Sequence, residues 1–195
     1  NMNIRSLFST LLLVLASSFA FANSVSGWKP LLSANELNQI LQAHSDAVTI
    51  IDIRPPNALD PDSSYNAGHI PGALSSPYGN WRGPAENPGK FLPQAQLTAL
   101  VQGLGLNAET PTVVLHKGDS YSDFGAAARV YWTLKTAGLQ QLAVVDGGFL
   151  AWKQAGLPIS KDTATVTPSS YPATIQADWL ASTSDVEQQL KQTNT

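Results

Sequence analysis

Three short runs of the chain are apolar at nearly every position: VTIIDI from Val48 to Ile53, TVVLH from Thr112 to His116, and LAVV from Leu142 to Val145. A strand with one wet face alternates apolar and polar residues. A run without that alternation is covered on both faces. Segments of helical period lie between these runs. Leu97, Leu100, Val101 and Leu104 form one stripe over 94–104. Phe124, Ala127, Ala128, Tyr131 and Leu134 form another, which stops at Gly138. A short helix over 149–155 is closed by Gly156, and a helix over 36–43 opens on Ser33 with Glu36 as its capping-box partner. Strands that alternate with helices in this way predict an α/β fold: a doubly wound, mainly parallel sheet with helices on both faces. Sites in such sheets form where strands end. Arg54, the stretch from Lys117 to Asp123, and Asp146-Gly147-Gly148 occupy three such ends.

Composition narrows the chemistry. The 195 residues are 43% hydrophobic and 13% charged, enough for a packed core in one domain. The net charge of −3 leaves no basic footprint, so nucleic acid is not an expected partner. The sequence contains no cysteine. A cysteine nucleophile, a thiolate-bound metal and a lipidated cysteine are therefore excluded, and stability comes from the core without disulfides.

The N-terminus reads as an export signal over residues 1–22. Arg5 supplies the positive charge, the apolar run from Leu7 to Phe21 is short for a bilayer span, and Ala20-Phe21-Ala22 gives a cleavage pattern. The expected location is exported, periplasmic in a Gram-negative host, with no membrane association after cleavage. A domain over 23–160 follows. Residues 54–93 are rich in Pro, Gly and Asn and lack periodicity, as in loops that shape a site or wrap a fold. The Ser/Thr/Pro-rich stretch 161–175 reads as a linker. Asp178-Trp179-Leu180 and a helix-like run from Thr183 to Gln192 then read as the start of a truncated second unit, so that 161–195 is linker plus beginning.

"IDIR" with "AGHIPGA", then "VVLHKG" with "AAARVYW", then "VVDGGFLAWKQAGLP" occur in that order between Leu31 and Pro158. Together they resemble the rhodanese-like sulfurtransferase family. The insert after Arg54, "FLP" at 91–93 and "AAARVYWTLKTAG" at 126–138 resemble more closely the N-terminal, non-catalytic domain of tandem thiosulfate or 3-mercaptopyruvate sulfurtransferases. The resemblance implies a reaction in which a cysteine thiolate takes the outer sulfur of a donor, becomes a persulfide, and passes that sulfur to cyanide or a thiol. It also implies that loop amides and a helix N-terminus stabilise the anionic sulfur. The family cysteine follows the "VVLH" strand, and Lys117 stands there. A lysine forms no persulfide, so the chain alone is expected to be inactive. The implied partner is a second rhodanese-like domain. The competing reading is a non-catalytic module that holds a small thiosulfate-like anion or a protein.

The candidate anion loop is Lys117, Gly118, Asp119, Ser120, Tyr121 and Ser122, with Lys117 either an anion contact or a solvated lysine. His116 ends a strand and is expected to point away from Ser120 and Ser122, and no G-x-S-x-G elbow is present. Structural roles are expected for the polar residues Asp52, Arg54, His69, Arg129 and Asp146. Asp52 and Arg54 flank Ile53 and share one side of the strand. Arg129 falls opposite the apolar stripe of its helix, solvated or reserved for a partner domain. His44, His69 and His116 show no ligand spacing, and G-x-G-x-x-G is absent, so neither metal nor cofactor is expected. Trp28, Trp81 and Tyr78 either line a cleft or pin long loops to the core.

Overall fold

A computed structural model of the chain describes residues 25–193. The expected export signal over 1–22 lies outside the described residues. The elements run β1 (Leu31–Leu32), α1 (Ala34–His44), β2 (Thr49–Asp52), β3 (Leu74–Ser75), α2 (Gln94–Gly103), β4 (Thr112–Leu115), α3 (Tyr121–Thr136), β5 (Leu142–Val145), α4 (Gly148–Gln154) and α5 (Thr183–Thr193). The strands form one sheet in the order β1-β5-β4-β2-β3, with every pair parallel. The doubly wound α/β architecture predicted from the apolar runs is the one observed.

The runs lack alternation because each strand feeds two cores. Ile50, Val113, Leu115, Ala143 and Val145 pack with Leu37 and Ile40 of α1 and with Phe149 and Trp152 of α4. Their neighbours Ile51, Val114 and Val144 face the other way, onto Leu97 and Val101 of α2 and Val130 and Leu134 of α3. Successive strand residues point to opposite faces, so both parities must be apolar. Helix α1 starts at the capping box read from the sequence. The Ser33 amide and hydroxyl each donate to Glu36 Oε2 at 2.9 Å, and the Glu36 amide donates back to Ser33 Oγ at 3.3 Å. Strands β1 and β3 were not predicted. At two residues each they are too short to carry a periodic signal.

Two irregular segments wrap this frame. In the 54–93 insert, Trp81 is fully buried and its indole N–H donates to the Ser76 carbonyl and hydroxyl at 3.3 and 3.1 Å. It pins the loop rather than lining a cleft. The 161–175 stretch has no helix or strand, yet it is fastened along its length. His69 and Ser160 exchange backbone hydrogen bonds at 2.9 Å, Ser169 Oγ donates to the Leu106 carbonyl, Tyr171 Oη donates to the Ala137 carbonyl at 3.0 Å, and Ala173 is fully buried. Helix α5 lies beyond it with Val186 and Leu190 exposed. Among the described residues no helix is long and apolar enough to cross a membrane.

Candidate functional site

Parallel register brings the candidate loops together. Asp52 of β2 is level with Leu115 of β4, and Val114 with Val144 of β5, so the three strands finish side by side. The chain leaves them at Arg54, Lys117 and Asp146.

At the end of β2, Asp52 and Arg54 do share one side of the strand. Arg54 Nη2 donates to Asp52 Oδ2 at 2.6 Å, and Nε donates to both carboxylate oxygens at 3.0 and 3.2 Å. The remaining donors reach the Asp62 and Gly68 carbonyls at 3.0 and 2.9 Å, so Arg54 ties the insert to the sheet. The guanidinium lies 3.7 Å from the centroid of the Phe149 ring. The pair is dry, with side chains 2% and 0% exposed. Burial pushes the Asp52 carboxyl above its ordinary value, against the pull of the Arg54 hydrogen bonds and charge.

At the end of β4 the loop closes on a residue that sequence reasoning did not single out. Ser120 caps α3, its hydroxyl accepting from the Asp123 amide. Asp123, in the first turn, then reaches back into the loop. Its Oδ2 accepts from the Gly118 amide at 2.6 Å and lies 2.6 Å from His116 Nδ1, and its Oδ1 accepts from the Lys117 amide at 3.4 Å. Burial would push this carboxyl up. The hydrogen bonds from His116, Gly118 and Lys117 outweigh burial and hold it below its ordinary value. His116 is buried with Nε2 on the Val145 carbonyl at 3.1 Å and Nδ1 on Asp123, so both ring nitrogens are engaged by groups other than Ser120 and Ser122. No serine–histidine couple exists at the site.

Lys117 is not solvated freely. Its Nζ sits 2.7 Å from Asp60 Oδ2 and 2.8 Å from Asp119 Oδ2. Hydrogen bonds to Asp119 and Asp60 raise its pKa, so the amine stays protonated and is no nucleophile. The same contact, with support from Ser63 and the Asp62 amide, holds Asp60 down to about 2.

At the end of β5, Gly147 and Gly148 both adopt positive φ, at 70° and 58°. They serve close approach as well as turning. Gly118, at φ 97°, lies so near that a Cβ on it would strike the Gly147 carbonyl, and the Phe149 and Leu150 amides donate to the His116 and Lys117 carbonyls at 2.8 and 2.9 Å. The backbones of two loops are thus locked together. Asp146 contributes only its amide, on the Leu32 carbonyl. Its side chain is exposed and makes no contact among the described residues, which corrects its expected structural role.

Between these ends opens a cavity of about 240 Å³, lined by Arg54, Ser63, Tyr78, Lys117, Asp119 and Asp123 among others. Each cation in it is matched: Arg54 by Asp52, Lys117 by two carboxylates. A larger hollow of about 380 Å³ between α1 and the 70–72 turn is remote from the strand ends and holds none of these groups. His69 lies outside the cavity, its ring nitrogens 3.1 and 2.9 Å from the Tyr65 and Asp162 carbonyls, where it clasps the C-terminal strap. Arg129 is engaged within this chain, as a structural role requires. Nη2 donates to the Gly89 and Lys90 carbonyls at 3.0 and 3.3 Å and so fastens the insert to α3.

The family model for the rhodanese-like domain matches residues 33–155. SseB of Mycobacterium tuberculosis is 33% identical over 164 residues, covering 77% of this chain and 52% of the relative. The thiosulfate sulfurtransferase of Bos taurus is 28% identical over 137 residues, covering 70% and 46%. The chain spans about half the length of the curated relatives it matches. Among solved structures, SseA from Escherichia coli, described with the 3-mercaptopyruvate sulfotransferases, superposes with a TM-score of 0.63 at 20% identity, covering 81% of this chain and 60% of that one.

Proposed function

The chain belongs to the rhodanese-like domain family, and from that premise we propose that it is the non-catalytic domain of an exported sulfurtransferase acting on thiosulfate or 3-mercaptopyruvate. One observation carries the reading: the residue that follows the VVLH run of β4 and His116, where the family's sulfur-carrying cysteine belongs, is Lys117, and the 195 residues hold no cysteine. Transfer from thiosulfate needs a thiolate to attack the outer sulfur while the S–S bond breaks and sulfite leaves with the electron pair. The persulfide then yields that sulfur to cyanide, which becomes thiocyanate. A protonated amine bound to two carboxylates can start neither step. The thiolate is assigned to a second rhodanese-like unit of the parent protein, with the run from Asp178 through α5 as its beginning.

The decisive assay is thiocyanate formation by the purified chain from thiosulfate and cyanide. The expected rate equals that of buffer, and turnover above it overturns the reading. The reading frame after Thr195 distinguishes a tandem enzyme, which continues into a second D-x-R … H-I-P-G-A … C run, from a stand-alone module, which stops. Export is tested by mass spectrometry of the secreted or periplasmic fraction. A mature N-terminus after Ala22 is expected, and a cytoplasmic protein with residues 1–22 intact counts against it.

A further inference from the structure

We propose that the β4–α3 loop is an anion cradle that the chain fills with its own carboxylates, with Asp123 seated where a free anion would bind. The donors that would receive a sulfate-like ion are all present. The Gly118 amide, at a backbone conformation that turns it inward, meets Asp123 Oδ2 at 2.6 Å. The Lys117 amide meets Oδ1 at 3.4 Å, and His116 Nδ1 meets Oδ2 at 2.6 Å. The one ammonium at the loop, Lys117 Nζ, is held at 2.7 and 2.8 Å by Asp60 and Asp119. Two amides, an imidazole and an ammonium therefore all face oxygens of this chain.

The contact is autoinhibitory in a physical sense. A free oxyanion must displace a carboxylate whose negative charge is stabilised by charge-assisted hydrogen bonds, and it must approach past Asp60 and Asp119. The Asp123 side chain is 23% exposed, so the seat is reachable from solvent and is closed by occupancy, not by depth. Asp123 occupies the amides of the loop, and Asp60 and Asp119 occupy its ammonium, so three carboxylates exclude thiosulfate-like anions and Asp123 holds the seat itself. This deepens the reading of a silent loop and rests on it only for the loop's identity. Anion binding involves no sulfur transfer, so the two ideas fail in separate assays.

The test is a sulfate titration at constant ionic strength, balanced with chloride and followed through the Gly118 amide resonance. The native chain is expected to show no saturable shift through the millimolar range. Asp123→Ala is expected to show a saturable shift with affinity at least about tenfold tighter. Asp123→Asn, which keeps size and one acceptor but loses the charge, is expected to fall between them. Thiosulfate should reproduce the order. Saturable binding by the native chain overturns the proposal, and so does a folded Asp123→Ala that binds no tighter. If Asp123→Ala does not fold, Asp123→Asn decides: a sulfate-induced Gly118 shift absent from the native chain supports the proposal, and an unchanged titration overturns it.

Discussion

Two polar clusters at neighbouring strand ends use the same chemistry in opposite settings. Asp52 and Arg54 form one pair, one charge against one, with side chains 0% and 2% exposed. Lys117 meets two carboxylates, Asp60 and Asp119, with the three side chains 21%, 49% and 41% exposed. The dry pair is architectural. Arg54 reaches the Asp62 and Gly68 carbonyls, so removing it frees the insert from the sheet. The wet cluster neutralises a cation in the loop that leaves β4. Solvent screens its attraction, so it sets the charge of the loop far more than it sets stability. Location relative to water decides which of two similar ion clusters holds the fold.

The largest break in this contrast comes from Arg54→Ala, which strands a carboxylate in a site with no exposure. Loss of one partner of a buried pair costs about 3–5 kcal/mol, so urea unfolding at neutral pH should show a deficit of that order. Arg54→Lys should recover little of it, because an ammonium cannot make the forked contact. The pH dependence supplies a second check. Burial already raises the Asp52 carboxyl in the native chain, and without the Arg54 guanidinium only the residue-54 amide and His69 oppose that push. A group whose folded pKa is raised favours the folded state as it takes up its proton. The Arg54→Ala deficit should therefore shrink as pH falls from neutrality into the acid range. A deficit that stays constant with pH would mean that lost packing on Phe149, not the stranded charge, is what the substitution removes.

Gly118→Ala should come next, because it strikes the lock between the loops without touching a charge. The left-handed backbone at φ 97° disfavours a side chain by about 1–3 kcal/mol, and the added Cβ also meets the Gly147 carbonyl. The unfolding midpoint should drop clearly. The damage should be local, with faster hydrogen exchange at the Phe149 and Leu150 amides that bridge the two loops. Unchanged exchange there would argue that the loops are held apart from each other's backbones.

What the sequence revealed and concealed follows from the range of each interaction. The apolar runs predicted β2, β4 and β5 because burial on both faces writes itself into consecutive residues. Ser33 and Glu36 predicted their helix start because a capping box is local. Asp123 went unnoticed because its meaning depends on the loop folding back: five and six residues separate it from the Gly118 and Lys117 amides, and no spacing rule marks that return. A carboxylate at the third position after a capping serine is the one signal that pointed to it, and that signal predicts only a helix start. The partners of Arg129 were unreadable for a simpler reason, since the carbonyls it holds are 40 and 39 residues away. The 161–175 strap carries Ser, Thr and Pro, the composition of a solvated linker. Its attachment runs through backbone carbonyls and one buried alanine, and neither leaves a trace in composition.

The smallest expected effect sharpens the comparison most. Lys117→Ala removes the centre of the wet cluster and should leave the unfolding midpoint unresolved from the native one. The two carboxylates it frees are already half-exposed and turn to water. The change should appear in titration instead. Asp60 is held down to about 2, first by its hydrogen bond from Lys117. A group depressed on folding favours the folded state above its ordinary value, and that contribution is lost as pH falls through the depressed one. In the native chain the Asp60 carboxylate should therefore stay ionised down to about pH 2, while in Lys117→Ala it should titrate nearer its ordinary value of 3.8. Carbon-detected NMR of the side-chain carboxyl reads both. An Asp60 titration unmoved by the substitution would show that Ser63 and the Asp62 amide alone hold the carboxylate, and the wet cluster would then be a contact of position without electrostatic consequence.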